Sequence, residues 1–484
     1  VEIEQTDRDG LAVFRIDGSG MTTASLVFHV GLIDEDYVTA GITHLVEHLV
    51  MHRTPRTVAN VNATVTPEFT EFWVRGSARV VAEHLAAVFD AVRSLHESVD
   101  AEHLRLERGV LSAEHSGGTP LGIPYVERYG LTGPGLLASG PVALDGIAPE
   151  EVVAWVRRFF VCGNAALTVL GPMPEGVDTT LPDGPRHTRS EPELLREVAP
   201  MQVVTDLPAV LYGMELPRFP GSSALERIIT ERLTGHVRTG LGSSYSVQSE
   251  SLVLDDARAF AVFAVDCAPG RDREVAVAGL AELRRIADQG PDQADLDHDI
   301  AAFEELLADP EFGSALLFAA AFGYLQGIEP RLSSDDHLAA MRALTGEQVR
   351  DAVRSGLRTL VVAHSGPEPL TEADSGGAEL PIAPPCTGPE IQGRALSRRL
   401  GRGVPRSARL VYNDDAVALV HEGEWHTIAL RDVVGMGTAD ETRYLVSRTG
   451  CTFYVTPREF RGADQVVAWL DRQVPARLHY RLPD

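Results

Sequence analysis

Apolar and polar positions follow one plan twice along the chain. Residues 147–172 open on Ile-Ala-Pro-Glu-Glu-Val, continue with apolar positions at helical spacing, and end in an apolar run over 165–170 closed by Gly171-Pro172. Residues 344–367 open on Leu-Thr-Gly-Glu-Gln-Val and pass through a second helical stretch to Leu360-Val361-Val362, closed by Gly366-Pro367. Each unit has a capping-type start, an amphipathic helix and a buried strand. An echo at an offset of about 195 residues predicts two homologous α+β halves, at 1–180 and 199–368. Between them, 181–198 is polar and Pro-rich and reads as a linker. A second linker spans 369–404, where five prolines and then a run of arginines predict a semi-extended connector. Beyond it the period changes. Short β-type runs at 408–412, 416–421, 425–430, 444–447 and 452–456 alternate with turn signals such as Asn413-Asp414-Asp415, and an amphipathic helix over about 462–473 follows. The expected fold class is therefore α+β: two homologous α+β halves plus a small C-terminal β-rich barrel, 405–484, with a closing helix.

Length and charge narrow the function classes. The chain has 484 residues, too many for one hydrophobic core, and 44% hydrophobic with 23% charged residues is the composition of a folded globular protein. Asp and Glu outnumber Arg by 69 to 43, and there is no lysine, giving a formal charge of -26. Residues 390–484 carry 14 arginines against 12 carboxylates, so the acidity lies in the two halves. Such a surface repels phosphate backbones, and nucleic acid is not expected as a partner. The four cysteines, Cys162, Cys267, Cys386 and Cys451, are far apart and form neither a C-x-x-C zinc pair nor a dense disulfide framework, so a cytoplasmic location is expected. No signal-type start and no apolar run of about 18 residues is present, so no integral membrane segment is expected.

The chemistry concentrates in Gly41-Ile42-Thr43-His44-Leu45-Val46-Glu47-His48-Leu49-Val50-Met51. On a helix, His44 and His48 project from one face with Glu47 beside them. Zinc accepts two such imidazoles with a carboxylate as third ligand and keeps a fourth position for water, whose proton Glu47 is placed to take. The apolar flanks argue against a merely solvated helix, because an ionisable trio on a buried element needs partners. A second helix over about 99–115 carries Glu107 and Glu114, two turns apart on one stripe. Both could face one metal site, but taken alone such acids are usually a solvated face.

The motif His44-x-x-Glu47-His48 resembles the inverted H-x-x-E-H signature of the pitrilysin/insulinase family of zinc peptidases, the inverzincins. The likeness extends to Gly31 and Glu35 ahead of the motif, to Asn62-Ala63 with Thr70, Phe72 and Trp73 after it, and to Glu107-Arg108-Gly109-Val110 through Glu114. In the second half, Arg238 and Tyr245 resemble the segment with which the family grips substrate. Val65, and Ser243-Ser244 before the tyrosine, depart from the family pattern. The resemblance covers about residues 10–370. It implies one Zn2+ per chain on His44, His48 and Glu114, with Glu47 as the catalytic base and Glu107 supporting the site. It implies substrate binding by Asn62, Ala63, Arg238 and Tyr245. His52, His103 and His115 do not occupy the family's ligand positions and are expected to lie outside the ligand set. The C-terminal runs resemble a pleckstrin-homology-like module, suited to protein docking, dimer contact or peptide presentation. Its preceding arginine run reads either as a lipid-binding stretch or as a solvated linker.

The expected function is a zinc-dependent endopeptidase that cleaves peptides in an enclosed chamber, as a leader- or precursor-processing peptidase. A catalytically silent peptide-binding or scaffolding subunit of a hetero-oligomeric peptidase is the alternative, and an adaptor working through the C-terminal module is a third reading. Because larger members close four α+β units around the substrate and this chain has two, a homodimer, or a heterodimer with a related subunit, is expected.

Overall fold

The computed structural model describes residues 2–114, 118–195, 200–241, 246–328, 333–366, 368–383, 386–399 and 404–482. In the first half six strands form one sheet: β1 (Glu4–Arg8), β2 (Leu11–Ile16), β3 (Thr22–Phe28), β4 (Asn60–Val65), β5 (Thr70–Gly76) and β6 (Ala165–Leu170), in the order β1-β2-β6-β3-β5-β4. β5 buries every second residue, whereas β6, at the centre, is buried along all but its last, as expected of a strand covered on both faces. Its helices are α1 (Ile42–Arg53), α2 (Ala78–Glu97), α3 (Ala101–Glu114), α4 (Ile123–Tyr129) and α5 (Pro149–Phe159). α1, α2 and α5 close one face of the sheet over Leu26, Phe28, Phe72 and Val74.

The second half repeats this plan. Its strands β7 (Met201–Thr205), β8 (Ala209–Pro217), β9 (Val247–Val253), β10 (Arg258–Asp266) and β11 (Val361–Ser365) run in the order β7-β11-β8-β10-β9. Set against β2-β6-β3-β5-β4, the order is the same strand for strand. In each half the last strand enters the middle, β6 parallel to β2 and antiparallel to β3, β11 parallel to β7 and antiparallel to β8. The helices are α6 (Ser223–Leu241), α7 (Asp272–Gln289), α8 (Gln293–Ala308), α9 (Gly313–Gln326), α10 (Ser334–Ala343) and α11 (Gly346–Gly356). The echoed units of the sequence are α5–β6 and α11–β11. α11 opens on a reciprocal cap: Gln348 N donates to Thr345 Oγ1 at 3.2 Å and Thr345 N to Gln348 Oε1 at 2.9 Å.

The halves also exchange a helix. α9 lays Leu317, Ala321 and Leu325 on the first sheet against Ala12, Phe14, Val27 and Ala166. α4 lays Tyr125 and Tyr129 on the second sheet against Leu211, Phe260 and Val262. Each half thus closes the other's core. The described part of the 181–198 linker carries no helix or strand and is strapped to the first half, where Arg189 grips Asp34 through Nε at 2.8 Å and Nη2 at 2.6 Å.

The C-terminal region has two four-stranded sheets, built from β12 (Arg394–Ser397), β13 (Arg409–Tyr412), β14 (Ala416–His421), β15 (Glu424–Ala429), β16 (Val433–Ala439), β17 (Thr442–Ser447), β18 (Thr452–Val455) and β19 (His479–Arg481). Their orders are β12-β13-β14-β15 and β18-β17-β16-β19. α12 (Ala463–Gln473) packs Val466 and Leu470 into their core with Leu410, Val417, Met436 and Leu445. One expectation needs correction: β12 lies inside the stretch read as a linker, 369–404. Of its four residues only Leu396 is buried, so a lone apolar position among arginines carried no alternation to detect. The connector ahead of it is anchored as well, since the Gln202 amide donates to Leu370 O at 2.9 Å and Leu380 O at 2.6 Å. Cys386 is joined to Cys451 by a disulfide spanning 65 residues. This region docks on the first half through Tyr480 and Val446, which pack with Tyr37, Val38, Leu136 and Ala143.

Candidate metal centre

α1 begins at Gly41, whose φ of 93° is readily adopted only without a side chain. Its first-turn N–H groups are met by a carboxylate from the preceding loop: Glu35 Oε2 accepts from Gly41 N at 2.7 Å and Oε1 from Thr43 N at 2.8 Å. Burial pushes the Glu35 carboxyl up to about 7, against the pull of those N–H donors. α1 buries Ile42, Leu45, Val46, Leu49 and Val50 in the first core. That packing fixes which edge carries His44 and His48, whose side chains are 20% and 14% exposed.

α3 runs beside α1 and brings both of its acids to that edge. Glu114 Oε2 lies 3.3 Å from His48 Nε2 and 3.9 Å from His44 Nε2. Glu107 lies behind the ligand edges, with Oε2 3.1 Å from His48 Nδ1 and Oε1 2.9 Å from His52 Nδ1. A carboxylate on Nδ1 keeps the proton there and leaves Nε2 as the lone-pair donor. His52 therefore belongs to the support of the site, and the His103 ring stands 4.6 Å from it. His115 lies outside the described residues.

Glu47 Oε2 is 3.6 Å from His44 Nε2 and 3.8 Å from His48 Nε2. Burial pushes its carboxyl up to about 7; His48 opposes the shift, while Glu114 and Glu107 add to it. Two carboxylates thus stand within ligand reach of the imidazole pair. In tetrahedral zinc sites with bonds of roughly 2.0–2.1 Å, neighbouring donors sit about 3.4 Å apart. Glu114 Oε2 stands near that spacing from His48 Nε2 at 3.3 Å and somewhat wider from His44 Nε2 at 3.9 Å, and His44, Glu47 and His48 bring ligand-type atoms within 4.8 Å of one another, so two imidazoles and a carboxylate suit the ion in donor chemistry.

The residues expected to bind peptide are placed unequally. Asn62 and Ala63 lie on β4, the edge strand of the first sheet, bonded to β5 on one side. Ala63 packs on the core under α1, while Asn62 is exposed opposite Trp73. Arg238 is on the last turn of α6 with its side chain outside the described residues, and Tyr245 lies outside them altogether. The role of Glu35 as a cap was not legible, because nothing in the spacing marks a side chain six residues upstream of Gly41 as its partner. A second group of metal-type side chains, Cys386, His426 and Cys451, lies within 4.8 Å, but both sulfurs are committed to the disulfide.

No protein-family model and no curated protein sequence matches the chain. Solved structures do. A protease from Helicobacter pylori matches with a TM-score of 0.61 at 16% identity, over 76% of this chain and 100% of that one. A peptidase M16 inactive domain from Pseudomonas fluorescens matches with a TM-score of 0.62 at 14% identity, over 79% and 100%. The periplasmic protease PqqL from Escherichia coli matches with a TM-score of 0.57 at 15% identity, over 91% of this chain but 56% of that one. The chain has the fold of M16-like peptidases, a fold that active and inactive members share.

Proposed function

We propose that the chain is a zinc-dependent endopeptidase, working as a dimer with a second copy or a related subunit. The observation that carries the reading is the convergence of His44 Nε2, His48 Nε2 and Glu114 Oε2, with the buried Glu47 carboxylate beside them. When bound there, zinc supplies Lewis acidity and a water acidified towards neutrality. Glu47 takes a proton from the attacking water and returns it to the leaving amine. Glu107 holds His48 in the tautomer and orientation that offer Nε2. The substrate backbone adds to the free edge of β4 at Asn62 and Ala63, so affinity comes from main-chain bonds. Arg238 and Tyr245 of the facing chain grip the peptide from the opposite side.

The likeness to an inactive domain favours a second reading, a peptide-binding subunit without catalysis. The intact His44, Glu47, His48 and Glu114 group weighs against it. Metal analysis beside cleavage of a peptide library separates the two. The purified chain is expected to hold about one zinc and to cut peptides, and Glu47→Gln to keep the zinc while losing at least ~100-fold in rate. His48→Ala is expected to lose the metal. A Glu47→Gln protein that cuts at the wild-type rate overturns the mechanism, and a zinc-loaded wild type that cuts nothing establishes the silent reading.

A further inference from the structure

We propose that the C-terminal module carries a redox-gated metal site of its own: once the Cys386–Cys451 disulfide is reduced, the two thiolates and the His426 imidazole bind Zn2+ and keep the connector clamped to the module. Ligand-type atoms of these three residues lie within 4.8 Å of one another, and the disulfide joins its sulfurs across 65 residues. Two thiolates and an imidazole are a donor set that favours zinc over magnesium or calcium. On a tetrahedral ion with Zn–S bonds of about 2.3 Å the two sulfurs stand about 3.8 Å apart. The Cα atoms of Cys386 and Cys451 are 5.1 Å apart, so rotation of the two side chains opens that separation without moving the backbone. Water completes the fourth position. The other two cysteines, Cys162 and Cys267, are buried and join no metal-type group among the described residues.

The three ligands come from separate segments that are held together by more than the S–S bond. The connector lies along β15: Gly388 N donates to Trp425 O at 2.7 Å, Thr427 Oγ1 to Pro389 O at 2.7 Å, and His426 Nδ1 to Cys386 O. A Cβ on Gly388 would meet Thr427 Cβ at 2.7 Å, so connector and strand are in direct contact. Across from them Cys451 closes the turn after β17, where Ser447 N donates to Cys451 O at 2.9 Å and Cys451 N to Ser447 Oγ at 3.1 Å. Opening the disulfide therefore leaves both sulfurs facing each other beside the imidazole. Ligands held in place this way lose little freedom when the ion binds.

Cys386 reaches solvent, whereas Cys451 is buried, so a reductant enters at the Cys386 sulfur. A thiolate of a dithiol attacks it, the S–S bond breaks and Cys451 leaves as thiolate. The reductant's second thiol then resolves the mixed disulfide, releasing Cys386 as the dithiol becomes a disulfide. Two electrons pass to the protein sulfurs, and Zn2+ takes the place of the two protons they would otherwise hold, which go to solvent. The connector is thus fastened at the same point in both conditions, by a covalent bond in oxidising surroundings and by the ion in reducing ones. Nothing in this site draws on the α1 and α3 residues of the candidate metal centre.

The test uses the full-length chain in three states: oxidised, reduced under argon with a water-soluble phosphine that ends as its oxide with oxygen from water, and reduced with Co2+ or Zn2+ added. Co2+ reports directly, because a thiolate-to-cobalt charge-transfer band needs sulfur ligands, which His44, His48 and Glu114 do not supply. The band is expected in the reduced chain alone, with the intensity of two thiolates, and Zn2+ is expected to displace it. His426→Gln is expected to weaken Zn2+ there at least about tenfold, since losing a ligand costs no less than losing the partner that orients one. Amide exchange across 386–389 and β15 is expected to rise on reduction and to fall back with Zn2+. The proposal is overturned if the reduced chain, still folded by circular dichroism, shows no band, or if His426→Gln binds Zn2+ as tightly as wild type. It is overturned equally if the band survives Cys386→Ser with Cys451→Ser, which would place it on Cys162 or Cys267, or if the disulfide resists the phosphine until the chain unfolds. Exchange that Zn2+ leaves unchanged overturns the clamp. A band in a chain that cuts no peptide sinks the peptidase reading and leaves this site standing.

Discussion

Glu107 divides its carboxylate between two imidazoles, His48 and His52, so in the proposed zinc site it would act through His48. Glu107→Gln keeps the shape but offers one acceptor oxygen and no charge. It is expected to weaken zinc by roughly 10–100-fold, and Glu114→Gln by more, in one chelator titration of both variants. Equal retention in the two variants would count against this assignment. A different residue contributes to the acid side of stability. His29 is buried beside Arg189, with Asp34 and His187 also facing it. Burial first, and then the Arg189 guanidinium, lower its pKa from 6.5 to about 3. The folded chain holds it neutral, while the unfolded chain protonates it below 6.5. The stability it contributes is therefore complete above pH 6.5 and is lost as pH falls towards 3, by at most about 1.4 kcal/mol per unit. Glu35, Glu47 and Glu68, each raised to about 7 chiefly by burial, act with the opposite sign between pH 7 and 4.5. The comparison that isolates His29 is the urea midpoint against pH for wild type and His29→Gln, and the two curves are expected to converge as pH falls from 6.5 to 4.

At the level of elements, the exchanged helices α4 and α9 make the two halves interdependent. Tyr125 is fully buried against the second sheet, and its hydroxyl donates to Phe260 O at 3.2 Å. Tyr125→Ala removes an aromatic ring and leaves a cavity, at a cost of about 3–5 kcal/mol. Because the ring comes from the first half and its contacts from the second, the loss is expected to appear as faster hydrogen exchange in β8 and β10. Protection lost instead around β3 and β5 would mean that α4 serves its own half. The same exchange links sheet to site: α4 follows α3, which carries Glu107 and Glu114, so its docking on the second sheet holds one end of the segment that positions those acids.

The assembled molecule contains two α+β halves, and the PqqL match spans 56% of that protease. In the proposed reading, a peptidase chamber of four such units is completed by a second chain. In the proposed dimer each working site combines one chain's zinc group with the other's Arg238 and Tyr245. Glu47→Gln and Tyr245→Phe proteins, each nearly inactive alone, are expected to recover roughly a quarter of wild-type activity when mixed and exchanged, since half the dimers hold one intact site. Absence of recovery after demonstrated subunit exchange would place both elements in one chain.

Features governed by short-range periodicity were readable without coordinates. His44 and His48 share a face because four residues make about one helical turn, and β5 alternates because successive strand residues point to opposite sides. The matching strand orders of the two halves were implied by the repeated helix–strand units, since similar units pack in similar ways. Other features depend on which distant segments meet. Glu35 caps α1 because its loop folds back onto Gly41. Cys386 bonds Cys451 across 65 residues, and β12 is a strand because β13 pairs with it, with one buried side chain of its own. A cavity of about 190 Å3 beside His44, walled by Leu32, Val65, Leu111 and Leu137, needs α1, α3, the end of β4 and segment 118–141 brought together. Local sequence determined the metal-type helix and the repeated halves, because backbone geometry alone relates residues within a turn or a strand. The support of the site, its pocket and the mutual closure of the two cores were decided by tertiary packing, which joins residues that no sequence period connects.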